Sequence, residues 1–235
     1  MLVKDYMLKH PIMIQPHRPV LDAQQLMAEN KIRHLPVVGD GKRLLGLVTR
    51  QQLSISPERL GSLNVWEISR YLSDLTVEKV MARGKDLHTI SPDATLEDAA
   101  DRMIRNKIDG LIVTEDKIVV GVLTETDLLT EFCNLLGEND PGWRVTMRAP
   151  DETGEFAKLS ETVAQNGWVI MAMGNVRSPK VPHHWDIVLK IHGCTREELV
   201  PVLENIEGQQ VIDVRQTHPA STGEILSLPA KRGGR

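Results

Sequence analysis

The chain has 235 residues, of which 41% are apolar and 26% are charged. These values are typical of folded globular domains and exclude a disordered chain or a disulfide-rich scaffold. The 28 basic and 32 acidic residues leave a formal net charge of −4, which argues against general nucleic-acid binding. Two cysteines, an opening that includes Lys4 and Asp5, and the lack of an apolar run of roughly 20 residues predict a cytoplasmic protein without a membrane or nucleic acid as partner.

A repeat organises the first half of the sequence. The segment 3–53 recurs at 77–128 with an offset of 74 to 76 residues. VKDYM corresponds to VEKVM, KIRHLPVV to KIDGLIVT, and GLVTRQQL to GVLTETDL. Self-similarity over this length indicates two copies of one structural unit.

Each copy is predicted to contain a short strand, a helix, two further strands and a last helix. A three-stranded sheet with helices on one side leaves its other face bare, so the two copies are expected to pack sheet against sheet. The predicted elements are strands at 12–15, 34–38 and 44–49 and a helix at 20–30 in the first copy, a strand at 87–90 and a helix at 96–106 in the second, and last helices that begin after Thr49 and Thr124.

The second half changes pattern after a turn-rich segment at 138–142. Its hydrophobic periodicity predicts the order βαββαβ, which corresponds to two helices on one face of a four-stranded antiparallel sheet. From Ser221 onward, small and basic residues predict a disordered tail. The predicted elements are strands at 143–149, 168–176, 185–191 and 210–215 and helices at 155–165 and 196–206.

The repeat resembles a tandem of cystathionine-beta-synthase domains, the CBS pair or Bateman module. The resemblance rests on the segments VKDYM and VEKVM, the lead segments of the two copies, which end at Met7 and Met81. It also rests on the turn at 90–92, the run at 35–37 and the two GxxT turns. The insert between the copies is similar to that of AcuB-type acetoin-utilisation proteins. DETGEFAKLSETVAQNGW resembles the first loop, helix and second loop of an ACT domain, although Thr153 stands where that family usually has proline.

These resemblances imply an α+β protein. A CBS-domain pair, built from βαββα repeats with their sheets packed together, is expected to precede a ferredoxin-like βαββαβ ACT domain. The predicted boundaries are 1–57 for the first CBS domain, 58–75 for a helical linker, 76–136 for the second CBS domain, 142–217 for the ACT-like domain and 218–235 for the tail.

The turn from Thr124 to Asp127 is the best candidate for a ligand site. If Thr124 caps the last helix, the Asp127 carboxylate faces the cap and can accept hydrogen bonds from both hydroxyls of a ribose, while helix-end N–H groups take a phosphate oxygen. The same spacing is also a plain helix capping box, and both interpretations stay open. The CBS resemblance implies an adenosine-nucleotide cleft formed by Thr89, Ile90, Pro92, Lys107, Ile108, Asp109, Gly110, Leu111, Ile112, Thr124, Thr126 and Asp127.

The first copy departs from this pattern because Gln52 stands at the position of Asp127. A neutral amide still caps a helix but recognises ribose less well. Arg33, His34 and Arg50 add positive charge, so either the second cleft holds the nucleoside while the first supplies charge to phosphates or binds a different anion, or these are solvated surface charges. His34 is expected to be a hydrogen-bonding surface residue at a strand edge. The residues predicted for this cleft of the first copy are Ile14, Pro16, Arg33, His34, Leu35, Pro36, Thr49, Arg50 and Gln52.

The second half offers a further candidate. The ACT resemblance implies a ligand loop for a small metabolite or amino acid. A homodimer is expected because exposed sheet edges and faces pair readily with a second copy, and a regulated protein is the expected partner. The implied loop residues are Asp151, Gly154, Glu155 and Phe156.

No catalytic set stands out in the sequence. It contains no phosphate-cradling GxxxxGK loop, no HExxH and no GxSxG turn, so we predict neither an enzyme nor a resident metal or cofactor. Adjacent histidines on extended chain point to opposite faces, which weakens a metal site. Such a site, in a metal-dependent hydrolase, would use His183, His184, Asp186 and His192.

The sequence therefore predicts a ligand-sensing regulatory protein. It would bind AMP, ADP, ATP or a related adenosyl ligand in the CBS pair and signal by a conformational change. The main alternative is a structural protein-interaction module without a nucleotide ligand. A fragment related to inosine-monophosphate dehydrogenase is less suitable, because no barrel of about 250 residues fits in this chain.

Overall fold

The computed structural model describes residues 1–53 and 75–217. Two compact units divide the chain, Met1–Leu129 and Thr130–Arg235. Apart from Leu75, the predicted linker lies outside the described residues, as does the predicted tail. In the described part of the chain, no helix is long and apolar enough to cross a bilayer.

The first unit contains the two copies of the repeat. The predicted helices at 20–30, at 96–106 and after Thr124 and the paired strands are confirmed, but at 12–15 only Ile14 forms a bridge, to Val37. The helix predicted after Thr49 falls outside the described residues, apart from a turn at 50–53. The elements are α1 (Val3–Tyr6), β1 (Leu8–Lys9), α2 (Val20–Glu29), β2 (His34–Val38), β3 (Leu44–Thr49), α3 (Val77–Val80), β4 (Thr89–Ile90), α4 (Leu96–Asn106), β5 (Gly110–Glu115) and β6 (Ile118–Thr124), after which α5 (Glu125–Leu135) begins.

The lead segments of the two copies are exchanged. Strand β1, near the start of the first copy, pairs antiparallel with β6 of the second copy, and Val3 is fully buried in the second copy's core. Conversely, Val77 lies in the core of the first copy, and Ala82 forms a bridge with Leu47. The lead segment of each copy therefore completes the core of the other copy. The sequence pattern did not predict this exchange.

A shared apolar layer joins the two sheets of this unit. Strands β1, β6, β5 and β4 form one sheet, and β2 and β3 form the other. The expectation that the two copies pack sheet against sheet is confirmed. Burying one such side chain contributes roughly 1.5–3 kcal/mol, and the layer contains Val38, Leu47, Ile112, Val119 and Val122.

Helix α4 shows how local sequence fixes the element ends. The Thr95 side chain accepts a hydrogen bond from the Asp98 N–H, and the Asp98 side chain accepts one from the Thr95 N–H. This reciprocal pair is a capping box. At the other end Lys107 adopts the left-handed conformation with φ of 53°, which ends the helix and turns the chain into β5.

The second unit has the predicted βαββαβ order. The four strands are antiparallel in the order β10-β7-β9-β8, and both helices contribute fully buried leucines to its core. The ACT identity of this unit stays a prediction. Its elements are β7 (Gly142–Pro150), α6 (Glu155–Gln165), β8 (Val169–Arg177), β9 (His184–His192), α7 (Arg196–Glu204) and β10 (Gln210–Thr217).

The apolar surface of this second unit is concentrated on its edge strand β8, where Val169, Met171, Met173 and Val176 are each more than 40% exposed. Residues from neighbouring β7 and β9 form an ion pair, with Arg148 Nε 2.7 Å from Asp186 Oδ1. Strand β8 thus presents an exposed apolar edge of the sheet, and the expected homodimer stays a prediction.

Gly46 in β3 tests the exchange of lead segments. A methyl group at this position would lie 2.8 Å from the Ala82 carbonyl oxygen and 2.6 Å from Met81 Sδ. We expect Gly46→Ala to lower the free energy of unfolding by about 1–3 kcal/mol, because the backbone of the exchanged segment must move. Urea unfolding measures the effect.

Gly39→Ala is the matched control for this prediction. Its added methyl group would meet only the Leu45 side chain, at 3.3 Å, which can rotate away. A smaller loss of stability is expected there. Equal losses for the two variants would contradict the close approach of the exchanged segment at Gly46.

Candidate functional site

Three adjacent strands bring the predicted residues of the second copy together. Thr89 pairs with Ile112 across β4 and β5, and Gly110 pairs with Thr124 across β5 and β6. The Glu125 N–H donates to the Asp109 carbonyl oxygen at 3.0 Å. The predicted set therefore converges at one end of this sheet.

Several residues of that set have structural roles, either through buried side chains or through backbone hydrogen bonds. Leu111 and Ile112 are fully buried, and Ile90 is 5% exposed, so they form the core beneath the site. The Pro92 carbonyl oxygen accepts a hydrogen bond from the Lys4 N–H of the exchanged lead. Lys107, Thr126 and Ile108 lie at the surface or are half-buried.

Thr124 and Asp127 form a reciprocal pair. The N–H and the hydroxyl of Thr124 each donate to Asp127 Oδ2 at 2.7 Å, and the Asp127 N–H donates to Thr124 Oγ1 at 3.4 Å. This is capping-box geometry, so the capping interpretation is confirmed. These three hydrogen bonds do not involve Oδ1 of this half-buried carboxylate.

Gln52 takes over the capping role in the first copy. Its Oε1 accepts from the Thr49 N–H at 2.8 Å and from the Thr49 hydroxyl at 3.4 Å. The prediction that a neutral amide caps this turn is confirmed. An amide has only one acceptor atom, and here that oxygen is already used. The two clefts therefore differ at the atom that would meet a sugar.

The remaining residues predicted for the first cleft have buried side chains or form backbone hydrogen bonds. Ile14, Leu35 and Pro36 are buried, and the Ile14 N–H donates to the Pro36 carbonyl oxygen at 3.0 Å. The Pro16 carbonyl oxygen accepts from the Glu78 N–H, and the Arg50 N–H donates to the Arg33 carbonyl oxygen. Their role as a ligand cleft stays a prediction.

His34 is buried, so the expectation of a surface residue is wrong. Its side chain is 5% exposed, and its Nε2 lies 2.9 Å from Asp109 Oδ1 of the second copy. The imidazole occupies space that Gly110 leaves open, since a methyl group on Gly110 would lie 2.7 Å from Nε2. The repeat carries one signal for this packing, because it aligns His34 with Gly110.

The Asp109 carboxylate lies near two basic side chains of the first copy, Arg33 and His34. Arg33 Nη1 lies 4.0 Å from Asp109 Oδ2. Burial acts to raise the pKa of Asp109, but the interactions with His34, a backbone hydrogen bond and the charge of Arg33 together outweigh burial and hold that pKa below its ordinary value. The carboxylate is therefore charged at neutral pH and offsets part of the positive charge predicted for this cleft.

A cavity of about 200 Å³ lies where the two predicted sets meet. Ligand pockets commonly measure about 300–1,000 Å³, so this cavity is smaller than most, and neither Thr124 nor Asp127 lines it. Asp86 and His88 belong to no motif, which is why sequence reasoning did not select them. The polar residues that line the cavity are His34, Thr49, Gln51, Gln52, Asp86, His88, Lys107 and Asp109.

The predicted loop of the second unit is held by internal contacts. Asp151 accepts from Trp185 Nε1 at 2.7 Å and from Arg177 Nη1 at 3.0 Å. Glu155 is 2% exposed, with Oε1 2.5 Å from Lys158 Nζ. Gly154 has a φ of 97° and open space beside it, and Phe156 packs against the core. Contacts of the Asp151 and Glu155 carboxylates therefore hold the conformation of this loop.

The residues of the alternative metal site do not converge. Asp186 uses both carboxylate oxygens for Arg148, and His184 Nδ1 lies 2.9 Å from the Pro182 carbonyl oxygen. Over residues 1–53 and 75–217, no group of three or more His, Cys, Asp and Glu side chains is placed to hold a metal ion.

Comparison with known families identifies the repeat. Residues 3–54 and 77–134 match the family model of the CBS domain. The chain therefore carries two CBS domains in tandem, and the prediction of a CBS pair is confirmed.

Curated relatives share this region. L-aspartate semialdehyde sulfurtransferase of Methanocaldococcus jannaschii is 28% identical over 134 residues, which cover 56% of this chain and 23% of the relative. Homoserine O-acetyltransferase of Methanohalobium evestigatum is 30% identical over 136 residues, which cover 55% and 24%. The chain thus spans about a quarter of the length of these relatives.

Solved structures with similarity to this chain include AcuB from Vibrio cholerae. It is 31% identical, with 58% of this chain and 93% of AcuB covered and a TM-score of 0.49. The CBS domain pair of protein MJ0100, solved in complex with 5′-methylthioadenosine and S-adenosyl-L-methionine, is 26% identical, with 57% and 97% covered and a TM-score of 0.47.

The lowered pKa of Asp109 predicts a pH-dependent stability. A carboxyl group whose pKa is lower in the folded state stabilises that state above its unfolded pKa, and the contribution is lost as the pH falls through the folded pKa. We expect Asp109→Asn to be less stable than the unmodified protein at pH 6 and the difference to shrink by pH 3. Urea unfolding across this range measures it.

His34→Gln provides the background for a double-mutant cycle. If His34 lowers the pKa of Asp109, the pH dependence of the Asp109→Asn effect should be weaker in that background. A stability difference that is independent of pH, or unaffected by His34→Gln, would contradict the coupling of these two side chains.

Proposed function

We propose that the protein is a ligand-sensing regulator that binds an adenosine nucleotide or a related adenosyl compound in its CBS pair. The observation that carries this proposal is the half-buried Asp127 at the start of α5, beside the ends of β4 and β5. Its carboxylate keeps one acceptor oxygen while the other caps the helix.

The site chemistry suits a ribose. A carboxylate oxygen accepts hydrogen bonds from vicinal hydroxyls, and the first N–H groups of α5 favour a negatively charged or polar group. The strand ends at Thr89 and Gly110 supply backbone groups for a base. Binding would favour one arrangement of the two CBS domains over others and so change what the protein presents to a regulated partner.

The two clefts are proposed to be unequal. Gln52 uses its single acceptor for the Thr49 N–H and hydroxyl, whereas Asp127 has a second oxygen and a negative charge. We therefore assign the nucleoside to the second cleft and expect one tightly bound adenosyl ligand per chain.

A cytoplasmic homodimer with a second ligand in the ACT-like unit extends this proposal. The exposed apolar residues of β8 support pairing with a second copy, since unprotected strand edges associate readily. The open space at Gly154, at the start of α6, supports a small metabolite such as an amino acid. Asp151 and Glu155 would hold the shape of that loop.

Asp127→Asn tests the proposed site. We expect adenosine or AMP at 100 times its Kd to stabilise the unmodified protein by about 2.7 kcal/mol, raising its melting temperature, and the variant to lose this rise. The helix should remain capped, because the amide of Gln52 caps the equivalent turn. Differential scanning fluorimetry measures both properties.

Asp98→Asn is the matched control, because Asp98 forms the same capping box with Thr95 at the start of α4. This variant should keep the full ligand-induced rise. Two results would contradict the assignment: an unchanged rise in Asp127→Asn, or an equal loss in both variants.

Gln52→Asp tests the inequality of the clefts. The substitution restores an acid at the position equivalent to Asp127, so we expect the number of adenosine molecules bound per chain to increase from one toward two. Isothermal titration calorimetry gives this number directly. Two equal sites in the unmodified protein would show that Gln52 does not weaken ribose binding.

A further inference from the structure

In both copies, the residue that precedes the first strand of the hairpin is hydrogen-bonded to the turn that follows the second strand. In the second copy, the Glu125 N–H donates to the Asp109 carbonyl oxygen at 3.0 Å. In the first copy, the Arg50 N–H donates to the equivalent Arg33 carbonyl oxygen at 3.3 Å. The same backbone bond therefore ties each turn to the chain that enters the hairpin, and a displacement of Asp109 would move the start of α5.

Strand pairing adds a second link at the next residue of each copy. Gly110 pairs with Thr124 across β5 and β6, and the equivalent His34 pairs with Thr49 across β2 and β3. Both threonines begin a capped turn, and the cap of the second turn is the proposed ligand residue Asp127. The two turns are thus each held by the residue pair that enters its own hairpin.

These equivalent residues of the two copies meet each other. His34 Nε2 lies 2.9 Å from Asp109 Oδ1, and a methyl group added to Gly110 would come within 2.9 Å of three atoms of the imidazole ring. The His34 side chain is only 5% exposed, so packing leaves it little freedom to move elsewhere. The first copy provides the ring, and the second provides the space for it and the acceptor. A continuous set of contacts therefore joins the two turns.

We propose that His34 and Asp109 are positioning residues for the turn at 124–127. Their contact holds Asp109 in place, and the Asp109 carbonyl oxygen holds the start of α5, where Asp127 is proposed to bind a ribose. This inference rests on the proposed function and adds a means of regulating its site, because a side chain of the first copy then sets the affinity of the second cleft. Neither side chain needs to touch the ligand. Coupling is reciprocal, so bound adenosine should in turn stabilise the contact.

Titration calorimetry with adenosine tests this role in the full chain. His34→Leu fills much of the space of the ring but cannot donate a hydrogen bond, so we expect adenosine binding to weaken by about fivefold or more, the lower end of coupling between sites. His34→Gln restores an N–H donor at a similar reach and should recover most of this affinity. A side chain that only fills space would not make glutamine better than leucine.

Further variants separate positioning from folding. Asp109→Ala removes the acceptor but keeps the backbone carbonyl, and it should weaken adenosine binding as His34→Leu does. Combining the two should cause no greater loss than either alone, because both break one contact. Asp22→Asn is the matched control: it removes an ion pair with Arg18 at 2.5 Å on α2 of the same copy and should leave the affinity unchanged. Melting curves show which variants fold, and Gly110→Ala, whose methyl group would displace the ring, replaces any that does not.

The outcomes distinguish this inference from the proposed function. If the unmodified protein binds adenosine and the folded His34 and Asp109 variants bind it equally well, the positioning role is refuted and the adenosyl site stands. Losses that multiply in the double variant, or a glutamine variant as weak as the leucine one, refute it as well. If the unmodified protein does not bind adenosine, the proposed function is refuted and this inference with it.

Discussion

The architecture of the first unit depends on one constraint: a small sheet must bury the face that its helices leave uncovered. Neither copy of the repeat achieves this alone, so both contribute to one apolar layer that includes Leu47 and Ile112. The same need explains the exchange of leads, in which Val3 and Val77 each fill the core of the opposite copy. The junction of two copies is then the place where a ligand can affect both at once, because a shift in one copy is transmitted through shared packing.

Sequence duplication and later divergence account for the chemistry at this junction. Duplication placed equivalent turns at Thr49 and Thr124, and both turns keep their cap. The copies differ in the capping residue, which is Gln52 in one and Asp127 in the other, and at Asp109 and Gly110, which correspond to Arg33 and His34. The result is a pair of unlike clefts joined by a buried hydrogen bond between His34 and Asp109. That bond couples the electrostatics of the two copies.

Much of this architecture could be predicted from the sequence because hydrophobic period and turn residues are local signals. The helices at 20–29 and 96–106 and the order of the second unit followed from them. The exchange of leads and the burial of His34 could not be predicted, because both depend on contacts between residues far apart in the sequence, such as Leu8 with Val122 and His34 with Asp109. Asp86 and His88 join the cavity for the same reason. The repeat alignment located the candidate site. Which residue pairs with each charged side chain is seen only in the folded structure.

The central claim is that the junction of the two CBS domains holds one adenosyl ligand per chain. Native mass spectrometry of the intact protein, mixed with a slight excess of adenosine and, separately, of guanosine, tests it most directly. The account predicts a dominant species whose mass exceeds that of the free chain by one adenosine, and no matching species with guanosine. A spectrum showing only the free chain, or equal occupancy by both nucleosides, would contradict it.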